Sequence, residues 1–143
     1  MEIVIRDMSE HDAAAINALS AQLGYSITIE QTLANIKSVL RTTGHGAFVA
    51  MYENDVIGWI GMAQAVQIES APFCEIRGLI VDEKYRGKGI GKLLIEKAKQ
   101  WSKATGNKTL RLRTNVIRKE THLFYQHLGF KEIKEQKVFE MRI

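Results

Sequence analysis

Cysteine and proline are almost missing from this chain: its 143 residues include one of each, Cys74 and Pro72. A single cysteine cannot close an internal disulfide, so the fold must rest on burial and hydrogen bonding, in agreement with a reducing compartment. No Gly/Ser-rich linker, low-complexity tract or repeat period accompanies the lone proline, so residues 1–143 are expected to form a single domain. Long apolar runs are lacking too. None approaches the roughly 20 residues that span a bilayer, and the stretch from Met1 to Asp7 lacks the basic and apolar regions of a secretory leader. A cytoplasmic protein with no membrane partner is expected. Missing motifs also narrow the chemistry. There is no G-x-S-x-G nucleophile elbow, no H-E-x-x-H and no Cys/His cluster at metal spacing, so neither an acyl-serine intermediate nor a metal is expected. The residues that are there, 45% hydrophobic and 25% charged, suffice for one ordinary core.

Charge is unevenly spread. Of 20 Lys/Arg and 16 Asp/Glu, the segment from Lys84 to Lys119 holds twelve bases and one acid, Glu96, leaving eight bases and fifteen acids elsewhere. Such a segment attracts an anionic partner. A nucleic acid would call for a longer basic stripe with stacking aromatics or a reading helix, and neither is present. A phosphorylated small molecule is the better match, with Lys97, Lys99 and Lys103 read as the solvated face of a helix.

The most informative stretch runs from Glu75 to Leu94. Ile76 and Leu79-Ile80-Val81 read as a buried strand, and Ile90, Leu93, Leu94, Ala98 and Trp101 recur at helical spacing. Between them lie Gly87, Gly89 and Gly91. Glycines here leave a row of backbone N–H groups open at the positive end of a helix, which suits a phosphate or pyrophosphate. Two better-known phosphate loops do not fit: a Walker loop would need glycine where Arg86 stands and Ser or Thr where Leu93 stands, and the spacing is not G-x-G-x-x-G.

Taken in order, the chain predicts a strand over residues 2–6, then a helix to about Leu23 opened by the capping box Ser9-x-x-Asp12 and stopped by Gly24. Thr28-x-x-Gln31 caps a second helix with Leu33, Ile36 and Leu40 on one face. Residues 47–52 and 56–66 form two antiparallel strands about the turn Glu53-Asn54-Asp55. Gly78 inside the next strand marks a bulge or a close backbone approach. A third helix over 89–104, a half-buried strand over 109–115, a short helix over 119–128 and one or two strands over 131–143 complete the chain.

Arg86-Gly87-Lys88-Gly89-Ile90-Gly91 resembles the Arg-x-x-Gly-x-Gly cofactor loop of the GNAT (GCN5-related N-acetyltransferase) superfamily. Phe124-Tyr125 followed by Gly129-Phe130 resembles that family's final motif. The resemblance implies a mixed α/β fold, mostly antiparallel, with a splayed parallel central strand pair flanked by about four helices. It also implies acetyl-CoA as cofactor, its pyrophosphate on Arg86, Gly87, Lys88, Gly89, Ile90, Gly91 and Lys92, and its pantetheine arm along the backbone of Leu79 and Val81. Acyl transfer to a primary amine, on a small molecule or peptide, would use Tyr125 as the acid at the CoA sulfur. Glu75, eleven positions before Arg86, would be the base, although Arg77 beside it on the strand makes a carboxylate a poorer proton acceptor. Some relatives carry asparagine seven residues before the tyrosine. Arg118 stands there instead, and Asn115 lies three residues earlier. Tyr25, in the turn between the first helices, is either a substrate contact or a ring closing the hairpin. Homodimers are common in the family, and a non-catalytic CoA-binding sensor is the alternative function.

Overall fold

A computed structural model describes all 143 residues. By its contacts the chain falls into two compact units, Met1–Leu112 and Arg113–Ile143. The first holds β1 (Ile3–Asp7), α1 (Ala13–Ala21), α2 (Ile29–Arg41), β2 (His45–Tyr52), β3 (Asp55–Ala65), β4 (Phe73–Val81), α3 (Ile90–Ala104) and β5 (Leu110–Leu112). The five strands form one sheet in the order β1-β2-β3-β4-β5, antiparallel except for the parallel pair β4 and β5. The second unit contains α4 (Lys119–His127). No helix is long and apolar enough to cross a membrane.

The caps read from the sequence are present. The Ser9 hydroxyl accepts from the His11 N–H at 3.3 Å, and the Asp12 carboxylate accepts from the Ser9 N–H at 2.8 Å, opening the first helical stretch as a 3₁₀ turn, Glu10–Asp12. Arg6 on β1 donates twice to the same carboxylate, at 2.9 and 2.7 Å. Burial alone would push the Asp12 carboxyl up, but Arg6 and the Ser9 amide outweigh it and hold the group below its ordinary range. The Thr28 hydroxyl accepts from the Gln31 N–H at 3.0 Å and starts α2.

Two faces of the sheet are covered differently. Met8, Ala13, Ile16 and Ile36 cluster with Ala47 and Val49 of β2, and Trp59 packs against them, so α1 and α2 cover the face that carries Trp59. On α3 the buried residues are Ile90, Leu94, Ile95, Ala98 and Ser102. Leu93 is 43% exposed, so Ile95 takes the place the sequence periodicity assigned to Leu93. Leu40 of α2 is likewise exposed, and Thr32 is buried on that helix beside Ile36.

The bulge expected at Gly78 is there. Gly61 pairs with Gly78 while Met62 pairs with Ile76, leaving Arg77 as the extra residue of β4. β4 is buried without a break from Phe73 to Ile76; Arg77 beyond is exposed, and Ile80 is buried again. β5 pairs only with Cys74, Glu75 and Ile76, so β4 runs on past the bulge without a β5 neighbour, as a splayed parallel pair requires. Two expectations fail. β5 is three residues long rather than the seven of 109–115, because parallel partners end at Ile76. Residues 131–143 adopt no strand at all and are exposed throughout, since a strand needs a neighbour to satisfy its backbone and none pairs with them here.

Why glycine at 78? A Cβ there would lie 2.5 Å from Cη2 and 2.6 Å from Cζ3 of the Trp59 ring. Gly78→Ala is expected to destabilise the protein by about 1–3 kcal/mol, with part of the loss regained when Trp59→Leu is added. Thermal melting of the single and double variants checks this; an unchanged melt for Gly78→Ala would mean that the ring yields freely.

Candidate active site

The loop after β4 is assembled from backbone geometry. Asp82 accepts at 3.1 Å from the Lys84 N–H and caps a 3₁₀ turn, Glu83–Tyr85. Arg86 then folds back, its Nε donating to the Val81 carbonyl at 3.2 Å. Gly87 and Gly89 have φ of 76° and 81°, left-handed values that disfavour any side chain, and the space a Cβ would fill at each is open. Gly91 needs no such conformation, because it lies inside α3. Gly89 caps α3 without a side-chain hydrogen bond, and the first backbone bond of the helix runs from the Leu93 N–H to the Gly89 carbonyl at 3.1 Å. The amides from Gly87 to Lys92 therefore have no acceptor within the protein. They sit at the positive end of a 15-residue helix beside exposed Lys88 and Lys92. These are the features a diphosphate demands. Ile90, included with the cofactor residues in the sequence reading, buries its side chain to 1% and has only its amide to offer.

Upstream of the loop, β4 brings the other predicted groups to its two faces. The Cys74 thiol lies beside Ser102 of α3, so Cys74 faces α3. Glu75, the next residue, faces the opposite way, towards the side of Trp59. It is buried to 6% and its Oε1 receives Arg77 Nε at 2.8 Å, the neighbour that strand alternation predicted. Because Arg77 and Gly78 form the bulge, both stay on the face of Glu75. Leu79 and Val81 are half-buried beyond it. The Trp59 Nε1–H is buried without an acceptor, a cost of about 1–3 kcal/mol that the packing of its ring must offset. Burial pushes the Cys74 thiol up, and the negative charge of Glu75 adds to that, so it is a poor nucleophile.

In the second unit, Tyr125 lies on α4, half-buried, edge-on to Phe124 at 5.2 Å and to Phe130 at 5.8 Å. The Phe-Tyr-x-x-x-Gly-Phe motif thus forms one aromatic cluster, turned by Gly129 at a φ of 98°. Burial pushes the Tyr125 phenol above its ordinary value, with the Arg118 charge acting in the other direction. A phenol held up in this way stays protonated and can donate. Asn115 is occupied locally: its side chain accepts from the Ile117 N–H, and its carbonyl meets His122 Nε2 at 2.9 Å.

One positioning residue escaped the sequence reading. Gln22, just past α1, accepts from the Glu83 N–H at 3.0 Å and donates to Asp82 at 3.3 Å, tying the start of the loop to a residue 60 positions away. Only the pairing of distant segments reveals it. Tyr25 is 64% exposed, so its ring does not close the helical hairpin. A solvent-open cavity of about 500 Å³ lies between β1, the β2–β3 turn and the 3₁₀ turn, lined by Arg6, Asp12, Asp55, Asp82, Lys84 and Tyr85 among others. None of residues 86–92 lines it, so it is separate from the anion cradle.

The sequence model described as the acetyltransferase (GNAT) family matches residues 12–130, which include both signatures. The chain belongs to this family. It is 33% identical over 130 residues to the N-acetyltransferase YjgM of Escherichia coli, covering 91% of this chain and 74% of that protein. Against the N-acetyltransferase CT2212 of Chlorobaculum tepidum it is 33% identical over 134 residues, 92% of this chain and 77% of the other. Among solved structures, the aminoglycoside acetyltransferase AAC(6')-Iy, in complex with the bisubstrate analogue CoA-S-monomethyl-acetylneamine, superposes with a TM-score of 0.88 at 22% identity, covering all of both chains. AAC(6')-Ih from Acinetobacter baumannii gives 0.87 at 18%, covering 99% of each. These likenesses establish the GNAT fold. The protein is an acetyl-CoA-dependent N-acetyltransferase.

Gln22→Ala removes the acceptor of the Glu83 amide and one of the two donors to the Asp82 carboxylate. It is expected to raise the KM for acetyl-CoA about fivefold or more with little change in kcat, as the loss of roughly 1 kcal/mol of loop order implies. Initial rates at saturating acceptor measure it, and a fall in kcat at unchanged KM would refute the tether.

Proposed function

We propose that residues 1–143 act as one acetyltransferase domain in which a primary amine attacks the acetyl thioester directly, within a ternary complex and without an acyl-enzyme. The row of amides from Gly87 to Lys92, unsatisfied by the protein and flanked by lysines, carries this reading: it fits the diphosphate of acetyl-CoA. Leu79 and Val81, beyond the last β5 pairing, supply backbone to the pantetheine arm. The acceptor is a small-molecule or peptide amine. A cationic amine is favoured by the acidic remainder of the chain and by the buried carboxylate of Glu75. An aminoglycoside is one such acceptor, the class named for the two structural neighbours. Pairing of two copies and a cytoplasmic location complete the proposal; the buried free thiol of Cys74 agrees with the latter.

An amine is protonated at neutral pH and must lose a proton to attack. Glu75, fixed by Arg77, takes that proton directly or through water. As the C–S bond breaks, Tyr125 gives its phenolic proton to the departing sulfur. The raised value of the phenol has a definite sign: Tyr125 remains a donor through neutral and alkaline pH and is lost only above its ordinary value near 10.

Release of CoA thiol from acetyl-CoA over an amine panel tests the activity. Turnover with at least one amine supports it, whereas tight CoA binding without turnover on any amine would make the chain a sensor. Tyr125→Phe is expected to lower kcat on the order of a hundredfold and to remove the alkaline limb of the pH profile; Glu75→Gln is expected to lower kcat/KM on the order of tenfold or more. A wild-type rate and profile in either variant strikes that residue from the mechanism.

A further inference from the structure

The two parallel strands surround Glu75 with positive charge. Glu75 pairs in register with Arg111 of β5, and in a parallel pair such partners stand on one face, about 4.8 Å apart at the backbone. Phe73 shares that face by alternation and is 3% exposed. The Arg111 guanidinium rests over the Phe73 ring, 4.0 Å from its centroid. A buried aromatic side chain thus holds this half-buried cation in place without using its N–H donors. Arg111 makes no hydrogen bond or ion pair with the rest of the chain. Arg6, by contrast, gives both of its Nη groups to Asp12. Arg77 completes the cluster: its Nε goes to Glu75, and its side chain is 56% exposed, so its outer edge is reachable from solvent. All four residues lie within Met1–Leu112.

We propose that the acceptor is a zwitterion: a primary amine that carries a carboxylate close by, as in an α- or β-amino acid. Its ammonium group meets Glu75, and its carboxylate meets the guanidinium edges of Arg111 and Arg77. This inference rests on the reading of Glu75 as the residue that receives the acceptor amine, and it narrows the cationic amine proposed above to one with an acid group of its own. Charge balance selects this class. Two guanidiniums about one carboxylate leave an excess of positive charge, so an acceptor bearing amines alone meets repulsion there. A carboxylate instead finds donors of matching shape, because a planar guanidinium can give it two parallel N–H···O bonds. Register sets the size. Glu75 and Arg111 are neighbours across one strand spacing, so the two charges of the ligand must also be close together. In the transfer the amine nitrogen bonds to the acetyl carbon as the C–S bond breaks. The products are the N-acetylated acid, CoA thiol and one proton, and the carboxylate of the acceptor takes no part in the chemistry.

CoA thiol release is measured with the full chain over the common α-amino acids and β-alanine, each beside its amide and its decarboxylated amine, and over an aminoglycoside. The amide loses its ammonium proton more readily than the acid, and the decarboxylated amine less readily. A preference for the acid over both is therefore not one of amine basicity. The proposal expects at least one acid to have a kcat/KM about tenfold or more above its two counterparts and above the aminoglycoside. Arg111→Gln is expected to raise the KM for that acid about tenfold or more and to bring the ratio of acid to amide close to one. Arg111→Lys keeps the charge without the fork and is expected to regain part of that ratio. If Arg111→Gln does not fold, the wild-type panel and the lysine variant carry the test. Turnover of the amide, the decarboxylated amine or the aminoglycoside that equals or exceeds that of every acid overturns the proposal and leaves the acetyltransferase reading standing. A preference for the acid that persists unchanged in the Arg111 variants also overturns it. No turnover on any amine overturns both.

Discussion

The constraint on which this structure depends is a helix that starts without a cap. α3 begins at Ile90 after a glycine that offers no side-chain acceptor, and six successive amides from Gly87 to Lys92 are left for solvent or a ligand. Most helices satisfy such amides at once with Ser, Thr, Asp or Asn, as Ser9 and Thr28 do elsewhere in this chain. A sequence that omits the cap here gives up local stability and must hold the turn by other means. It does so at both ends. Ile90 is sunk into the core to 1% exposure, while Asp82, Gln22 and the contact of Arg86 with the Val81 carbonyl fix the approach. The protein's own contacts thus hold the turn in place, the kind of preorganisation that lets a backbone site take a diphosphate without rebuilding itself.

Those local devices are also what made the site readable. The loop glycines, the two helix caps, the Glu53-Asn54 turn and the bulge glycine are each decided by a few neighbouring residues. Each was visible in the sequence, and Glu53 does adopt the left-handed φ of 55° that a tight hairpin favours. The misses have a common cause in partners that lie far along the chain. Whether Leu93 or Ile95 of α3 is buried depends on where the sheet lies beneath the helix, and periodicity alone put the apolar stripe one position off. The tether from Gln22 joins residues 60 apart. The end of the tail alternates as a strand would, yet a strand exists only with a neighbour, and none pairs with it here.

The bulge in β4 shows how one irregularity can serve two purposes. In a regular strand Glu75 and Arg77 would share a face and Gly78 would turn to the other. The extra residue keeps Gly78 on the side of Glu75, and there Trp59 lies across it. The same extra residue marks where β5 leaves β4, since the parallel pairing stops at Ile76. Before the bulge the strand therefore holds a buried carboxylate in place by sheet pairing and an ion pair. After it, the strand offers an edge of backbone that β5 does not occupy, leading directly into the anion cradle. A tryptophan and a glycine fix the boundary together, because only a residue without a Cβ allows the ring to lie over the point where the strands part. An acid at one end, open backbone in the middle and bare amides at the other is the order in which an acceptor, a pantetheine arm and a diphosphate would be met along a single stretch from Glu75 to Lys92. That order follows from strand, bulge, turn and helix succeeding one another in the sequence.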